Sequence, residues 1–493
     1  MRRFSAFTYS IWISVLLVGI LLEMTLLPKF ITDKIEKHRK CKIENMVVNT
    51  RAIPDELCED GKHSVAVYYS NWSVYEPRLH FPHDVDFDKL THVYYAFFIV
   101  DEKTGKVKSS DEWADFQIEL KHPTFKTAVP GALGELNHFK TTGGKDFKLI
   151  MSIGGWTNRD AFPKMVRCEK KLQEFVNTSI SAMFEYGFDG IDLDWEFPKD
   201  DGYEPGMYLE MCARLRTRMD ELEDQIWGPD NVHHPRFHLS MATPAFGKSL
   251  HPLQVTEMNK YISTWNMMTY DFHGSWSDRT GYHSNLYNSE NSPNKSLHKR
   301  RFENMGIEGD DGLNAHDAIT SMIEKFHISP RKLSLGMAAY GRGFTNVDGT
   351  EEDHLGKTYK GNGGASEGEP GIWQYNQLPI ENSQEKFDDV WVSAYCFDPK
   401  IKTFVGYDNV QSMVSKREYV KAHNLGGGFW WESCGDDHKN PKRNLLNAFS
   451  EDIELGKEGS VYNDPALVDY YLKTLPKGFL VPLMNEIKKN TSH

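Results

Sequence analysis

Residues 188–197 read Phe188-Asp189-Gly190-Ile191-Asp192-Leu193-Asp194-Trp195-Glu196-Phe197. Side chains of a β-strand alternate between its two faces, so a strand here sets Asp192, Asp194 and Glu196 on one face and Ile191, Leu193, Trp195 and Phe197 on the other. The second face is large and apolar. It calls for burial, which argues against an exposed strand with a merely solvated acidic side. Three carboxyls in one row cannot all ionise cheaply, so at least one is expected to keep its proton at neutral pH, the state a general acid needs.

Working outward from this stretch, short apolar or β-rich runs recur at 65–69, 91–98, 147–153, 188–197, 237–243, 264–272, 333–340 and 425–432. Between them lie helical patterns, for example over 170–186 and 207–225. Strands alternating with helices predict parallel βα units. Eight such units close into an α/β fold, the (β/α)8 TIM barrel, whose active site gathers side chains at the C-terminal strand ends. One interval breaks the rhythm. Residues 345–402 are Gly-rich at Gly361, Gly363, Gly364, Gly368 and Gly371, then strand-like near Trp391, and are expected to form a small α+β insertion before the last strand. The expected organisation is therefore an N-terminal apolar segment (1–27), a linker (28–62), the barrel (63–450) and a C-terminal tail (451–493).

Asp189, Asp192, Asp194 and Glu196 reproduce the pattern D-x-x-D-x-D-x-E, and the chain here resembles glycoside hydrolase family 18, in particular the fungal branch of these chitinases. Further stretches resemble the family at other strand ends. Ser152-Ile153-Gly154-Gly155-Trp156 is similar to its S-x-G-G motif, and Met268-Thr269-Tyr270-Asp271, followed by Gly274-Ser275-Trp276, to its M-x-Y-D. Tyr340-Gly341-Arg342-Gly343-Phe344 matches Y-G-R-x-F, and Gly426-Gly427-Gly428-Phe429-Trp430-Trp431 the Gly-rich Trp motif. Tyr68, Asn71 and Trp72 match Y-x-x-N-W, and Phe97 the closing aromatic of the second strand. The resemblance runs in order from Val65 to Phe449.

What the resemblance implies is an endo-type chitinase that hydrolyses β-1,4 bonds between N-acetylglucosamine units with retention of configuration. Glu196 would be the proton donor. No second carboxylate at strand spacing is placed as nucleophile, and the family solves this by substrate assistance through the 2-acetamido group. By the same resemblance Asp194 would orient that group, Asp192 would share a proton with Asp194, and Tyr270 would bind the acetamido oxygen. Trp431 would form the floor under the sugar. Tyr68, Trp72, Phe97, Gly154, Gly155, Trp156, Met268, Asp271, Trp276, Tyr340 and Arg342 would complete the substrate-binding set, with Asp189 supporting the motif. Neither metal nor cofactor is expected, since His233-His234 and His273 lack ligand spacing.

A chain of 493 residues with 39% hydrophobic content can bury a large core. The net charge of -13 disfavours a nucleic-acid partner and leaves a neutral polysaccharide such as chitin, or its oligomers, unopposed. Nothing in the pattern asks for more than a monomer. Arg2 and Arg3 precede an uncharged, mostly apolar run over 4–22, which has the layout of a secretory signal. No small-x-small cleavage site follows, so an uncleaved signal anchor is favoured over a released signal peptide, and membrane contact is expected through this segment alone. Lys29, Lys34, Lys37, Arg39, Lys40 and Lys42 beyond the run pull toward a cytosolic domain by the positive-inside rule. The resemblance implies instead the lumenal or extracellular side, at a cell wall.

The six cysteines, Cys41, Cys58, Cys168, Cys212, Cys396 and Cys434, show no C-x-x-C spacing, and Cys41 with Cys58 is the nearest pair for a bridge. Sequons at Asn177, Asn294 and Asn490 fit secretion, whereas that at Asn71 is expected to be buried. Two other readings remain open at this point. A chitinase-like lectin would usually have lost one of the signature acids, which this chain keeps. A glycosidase releasing N-glycans shares the acids but suits the aromatic-rich strand ends less well.

Overall fold

Alternation in Ser64–Ser70 makes the first barrel strand, β1. Ala66 and Tyr68 join the apolar cluster inside the barrel, while Val65, Val67 and Tyr69 join the larger core outside it. The computed structural model describes residues 51–54, 61–120, 127–231, 233–294, 312–365 and 368–491. Seven further strands follow the same logic: β2 (His92–Val100), β3 (Lys148–Gly154), β4 (Gly190–Asp194), β5 (His238–Pro244), β6 (Thr264–Met268), β7 (Leu333–Ala338) and β8 (Gly427–Trp431). Each pairs in parallel with the next, and β1 pairs with both β2 and β8, so the eight strands close into a barrel.

The helices between strands supply the outer layer. Glu204–Trp227 begins with Pro205 in its first turn, where the missing N–H costs nothing, and ends at Gly228, whose φ of 88° favours glycine. Its inner face buries Met211, Leu215 and Met219 in the core. Each such apolar side chain contributes roughly 1.5–3 kcal/mol when fully buried.

Between β7 and β8 the chain leaves the barrel and forms a five-stranded antiparallel sheet, ordered Ile372–Gln374, Tyr340–Phe344, Thr403–Tyr407, Ser393–Asp398, Lys386–Asp388. It is wider than 345–402, because Tyr340–Phe344 and Thr403–Tyr407 at its two ends pair with each other. The C-terminal region folds back on the barrel as helices Pro465–Thr474 and Val481–Thr491. Asp464 caps the first of them and also accepts the indole N–H of Trp227. At the other end of the chain, the Arg51 backbone N–H donates to Asp220 and the Ala52 carbonyl accepts from Arg236, so this part of the expected linker lies against helix Glu204–Trp227.

Among the described residues no helix is long and apolar enough to cross a membrane. The run 4–22, Cys41, Cys58 and the basic stretch 295–301 lie outside the described residues. Cys168, Cys212, Cys396 and Cys434 are free thiols.

Candidate active site

Strand β4 carries the acids. Ile191 and Leu193 pack into the outer core, which turns Asp192 and Asp194 into the barrel, where both are buried. The ladder stops at Asp194, earlier than a strand over 188–197 would have it. Trp195 still faces outward and stacks on Phe162 at 5.3 Å. Phe197 does not share its face as alternation would require, but packs on the inner cluster with Tyr68 and Trp431. Alternation lasts only as long as the backbone stays in the ladder. Glu196 stands just past the strand end, half-buried at the barrel mouth.

Asp192 is the deepest of the three. It accepts from the hydroxyls of Tyr68 (2.9 Å), Ser152 (2.8 Å) and Ser240 (2.7 Å), and from the Asn266 amide at 3.5 Å. Burial raises its pKa and these donors pull it back only in part. Asp194 has fewer friends: its Oδ1 is buried without a hydrogen-bond partner among the described residues. Burial, then the neighbouring Glu196 and Asp192 carboxyls, push its pKa well above the ordinary value. For Glu196 burial and the negative charge of Asp271 raise the pKa to about 7, against the opposing charge of Arg159 and a backbone hydrogen bond at Trp156. Sequence reasoning missed Ser240, Asn266 and Arg159. A lone polar residue at an inward position of an apolar strand was the available signal for the first two.

Across the mouth from β2, the loop after β6 sets Tyr270 and Asp271. Asp271 adopts a left-handed backbone, φ 58°, and its N–H reaches His283 Nδ1 at 3.4 Å. Both of its carboxylate oxygens are occupied. Arg342 Nε and Nη2 each donate at 2.8 Å, and the Tyr340 hydroxyl donates at 2.7 Å. Burial alone would raise this carboxyl, but the Arg342 charge and its two hydrogen bonds, with His283 beside it, hold it below the usual carboxylate range. Tyr270 lies edge-on to Phe429 and Tyr340, and burial followed by the Asp194 charge keeps its hydroxyl protonated. Met268, at the end of β6, belongs to the same inner cluster.

Aromatic rings line the β1–β2–β8 side. Trp431 lies against Phe97 (5.5 Å, 20°), Tyr68 (5.6 Å) and Trp72 (6.0 Å). Gly155 makes this possible, since a Cβ there would stand 2.5 Å from the Phe97 ring. At Gly154 a Cβ would run into the carbonyl oxygen of Asp194. Trp156 and Trp276 are exposed by 57% and 55%, each beneath a guanidinium, of Arg159 and Arg342 respectively.

The remaining acids do other work. Asp189 lies at the start of β4, away from the mouth, in a fully buried ion pair with Lys140 (2.8 Å), and accepts from Ser460 and Val461 of the C-terminal region. Asp436 accepts the backbone N–H groups of Leu445 and Leu446 at a helix start. Asn71 is buried and donates its amide to Ser110 and Asp115. Among the described residues no group of three or more His, Cys, Asp or Glu side chains is disposed to hold a metal ion.

The closed barrel thus carries an acid row at the end of its fourth strand and an aromatic cluster about Trp431 at the end of its eighth. The profile of the family described as "Glycosyl hydrolases family 18" matches residues 64–436, and the chain belongs to that family. It is 38% identical to Sporulation-specific chitinase 2 of Saccharomyces cerevisiae, over 99% of this chain and 98% of that one. Chitinase 1 of Aphanocladium album is 31% identical over 75% of this chain and 80% of its own length. Among solved structures, the catalytic domain of psychrophilic chitinase B from Arthrobacter TAD20 superposes with a TM-score of 0.68 at 23% identity, covering 83% of this chain and all, 100%, of that one. Human YKL-39, described as a pseudo-chitinase with retained chitooligosaccharide binding, shares the fold at a TM-score of 0.65 and 23% identity, over 79% of this chain and 99% of that chain.

Proposed function

We propose that this family 18 enzyme is an endo-type chitinase that cuts β-1,4 bonds between N-acetylglucosamine units with the substrate's own acetamido group as nucleophile. One observation carries the reading. Glu196 stands at the mouth with a raised pKa, while Asp271, the carboxylate whose charge acts on it from across the cleft, has both oxygens engaged by Arg342 and Tyr340. Among the described residues, a proton donor stands at the mouth and the carboxylate across from it is tied down, which leaves the nucleophile's part to the substrate.

The steps follow from the residues. Glu196 gives its proton to the glycosidic oxygen, and the leaving sugar departs. The acetamido carbonyl oxygen attacks the anomeric carbon and closes an oxazolinium ring. Asp194, with its unengaged Oδ1, takes the acetamido N–H and offsets the positive charge, and Asp192 beneath it shares the proton load. The Tyr270 hydroxyl holds the acetamido oxygen. Glu196 then draws a proton from water, which opens the ring from the face the leaving group left, so the β configuration is kept. Trp431, backed by Phe97, Tyr68 and Trp72, supports the reacting sugar.

Anomer-resolved analysis of the products that the purified full-length protein forms from chitin oligomers tests this reading. β-Anomers as first products agree with it; α-anomers would refute the mechanism. Oligomers bound and never cut would make the chain a lectin, as the name of YKL-39 describes for that protein. The pH profile adds a second check. Because Glu196 acts as the protonated acid, kcat/KM is expected to fall as pH rises through about 7, and not to fall between about 5 and 6 on this group's account.

The same reading puts the enzyme on the secretory route through residues 4–22, with the barrel on the lumenal or extracellular side and acting as a monomer on wall polymer. Asn177 is exposed on its helix, so glycosylation of its sequon would report that side, and a wholly unglycosylated domain that faces the cytosol in a protease-protection assay would reverse it.

A further inference from the structure

Trp276 is exposed, yet its ring is not free. Its indole lies so close over Gly274 that a Cβ there would stand 2.4 Å from the ring, and the Arg342 guanidinium sits 4.9 Å from the ring centroid. Arg342 is itself pinned by its two hydrogen bonds to Asp271. The turn that bears the ring is fastened from the far side by the inserted domain. There the Tyr359 hydroxyl donates to the Ser277 carbonyl at 2.5 Å and lies 3.2 Å from that of Ser275 and 3.5 Å from that of Gly274. Its phenol stands edge-on to Phe344 at 4.8 Å. Just beyond, the two segments are laced together. The Thr280 N–H donates to the Lys357 carbonyl, the Gly356 N–H to the Thr280 carbonyl, and the Lys357 N–H to Thr280 Oγ1, each at 2.9 Å. The backbone bonds hold Thr280, whereas among the described residues it is the Tyr359 hydroxyl that hydrogen-bonds from the inserted domain to the carbonyls of the Gly274–Ser277 turn itself.

We propose that Tyr359 is a positioning residue for substrate binding, which fixes the Gly274–Ser277 turn so that the Trp276 indole stands as a preformed platform for a pyranose ring of the polymer. The inference rests on the chitinase reading above. Its physical basis is preorganisation: an exposed aromatic ring already held in one orientation binds the C–H face of a neutral sugar without a further ordering cost. The inserted domain then sets the geometry of a ring carried by the barrel.

The test is made on the full-length enzyme with Tyr359→Phe, which removes only the hydroxyl. Hydrogen exchange at residues 274–280 is expected to quicken. KM for chitin oligomers is expected to rise about threefold to tenfold, the scale of one aromatic contact, with kcat changed by less than about twofold. In a Trp276→Ala background, Tyr359→Phe should raise KM no further. Unchanged exchange over 274–280, or a KM rise of the same size in the Trp276→Ala background, overturns the proposal. A wild-type protein that cuts no chitin oligomer would refute the chitinase reading, whereas the exchange comparison would still decide whether Tyr359 holds the turn.

Discussion

Glu196→Gln is expected to lower kcat by about 10²- to 10⁴-fold while leaving oligosaccharide binding in place. Glutamine keeps the volume and the hydrogen-bonding reach of the side chain. It cannot protonate a leaving oxygen or take a proton from water, so both chemical steps lose their acid or base. The same variant has a second signature. The carboxyl has its pKa raised to about 7 in the folded chain, well above the ordinary glutamate value. A group of this kind supports the folded state fully at pH values below its unfolded pKa, and that support is lost as pH rises through the folded value. Glutamine does not titrate. The variant is therefore expected to be more stable than wild type at pH 8, and to lose this advantage near pH 4. Thermal melts at the two pH values, beside single-turnover rates, check both claims. An inactive variant that is also less stable at pH 8 would mean that the side chain was needed for structure.

The second large effect lies far from the chemistry. Lys140→Met should destabilise the protein by about 3–5 kcal/mol, because it leaves the buried Asp189 carboxylate with no cation. Lys140 Nζ donates to Asp189 (2.8 Å), the Gly187 carbonyl (2.6 Å) and Ser460 (3.0 Å), and lies 4.3 Å from the ring centroid of Tyr462. Three separate parts of the chain meet at this one ammonium. Methionine fills the volume and supplies none of the donors. Urea unfolding followed by tryptophan fluorescence reads the loss, and kcat at 25 °C should stay near wild type. Adding Asp189→Asn to Lys140→Met should restore part of the stability, since the uncompensated charge is the main penalty. A Lys140→Met variant as stable as wild type would show that the pair contributes nothing net.

These two acids, seven residues apart, show what was legible in the sequence. Eight parallel strands could be read because strands buried on both faces appear as short apolar runs. Glu196 could be singled out because it continues the alternating acids of one strand, although Asp271 and Arg159, which act on its carboxyl, lie on other segments. Asp189 could not. It stands in the same motif as Asp192, Asp194 and Glu196, yet its partners come from a helix and from the C-terminal region, and no periodicity in the motif points to them. The bed under Asp192 was hidden for the same reason. Ser240 and Asn266 follow it by 48 and 74 residues and meet it only when neighbouring strands pair. The end of β4 was misjudged because alternation of residue types continues through Phe197, whereas the ladder stops at Asp194. The insertion was expected from its glycines, but its true extent follows from pairing of Tyr340–Phe344 with Thr403–Tyr407, which local composition does not reveal.

Closure of the barrel has a consequence in time. β1 finds its second neighbour in β8, about 360 residues later in the chain. At ribosomal speeds of about 5–20 residues per second, the first strand waits for roughly 20–70 s before that partner has been made. Throughout that interval the growing sheet has two open edges with unpaired backbone groups, and the Lys140–Asp189 contact still lacks Ser460. The nascent enzyme is thus at its most adhesive during synthesis, and it must be shielded from other chains until the last strand slots in and removes both edges at once.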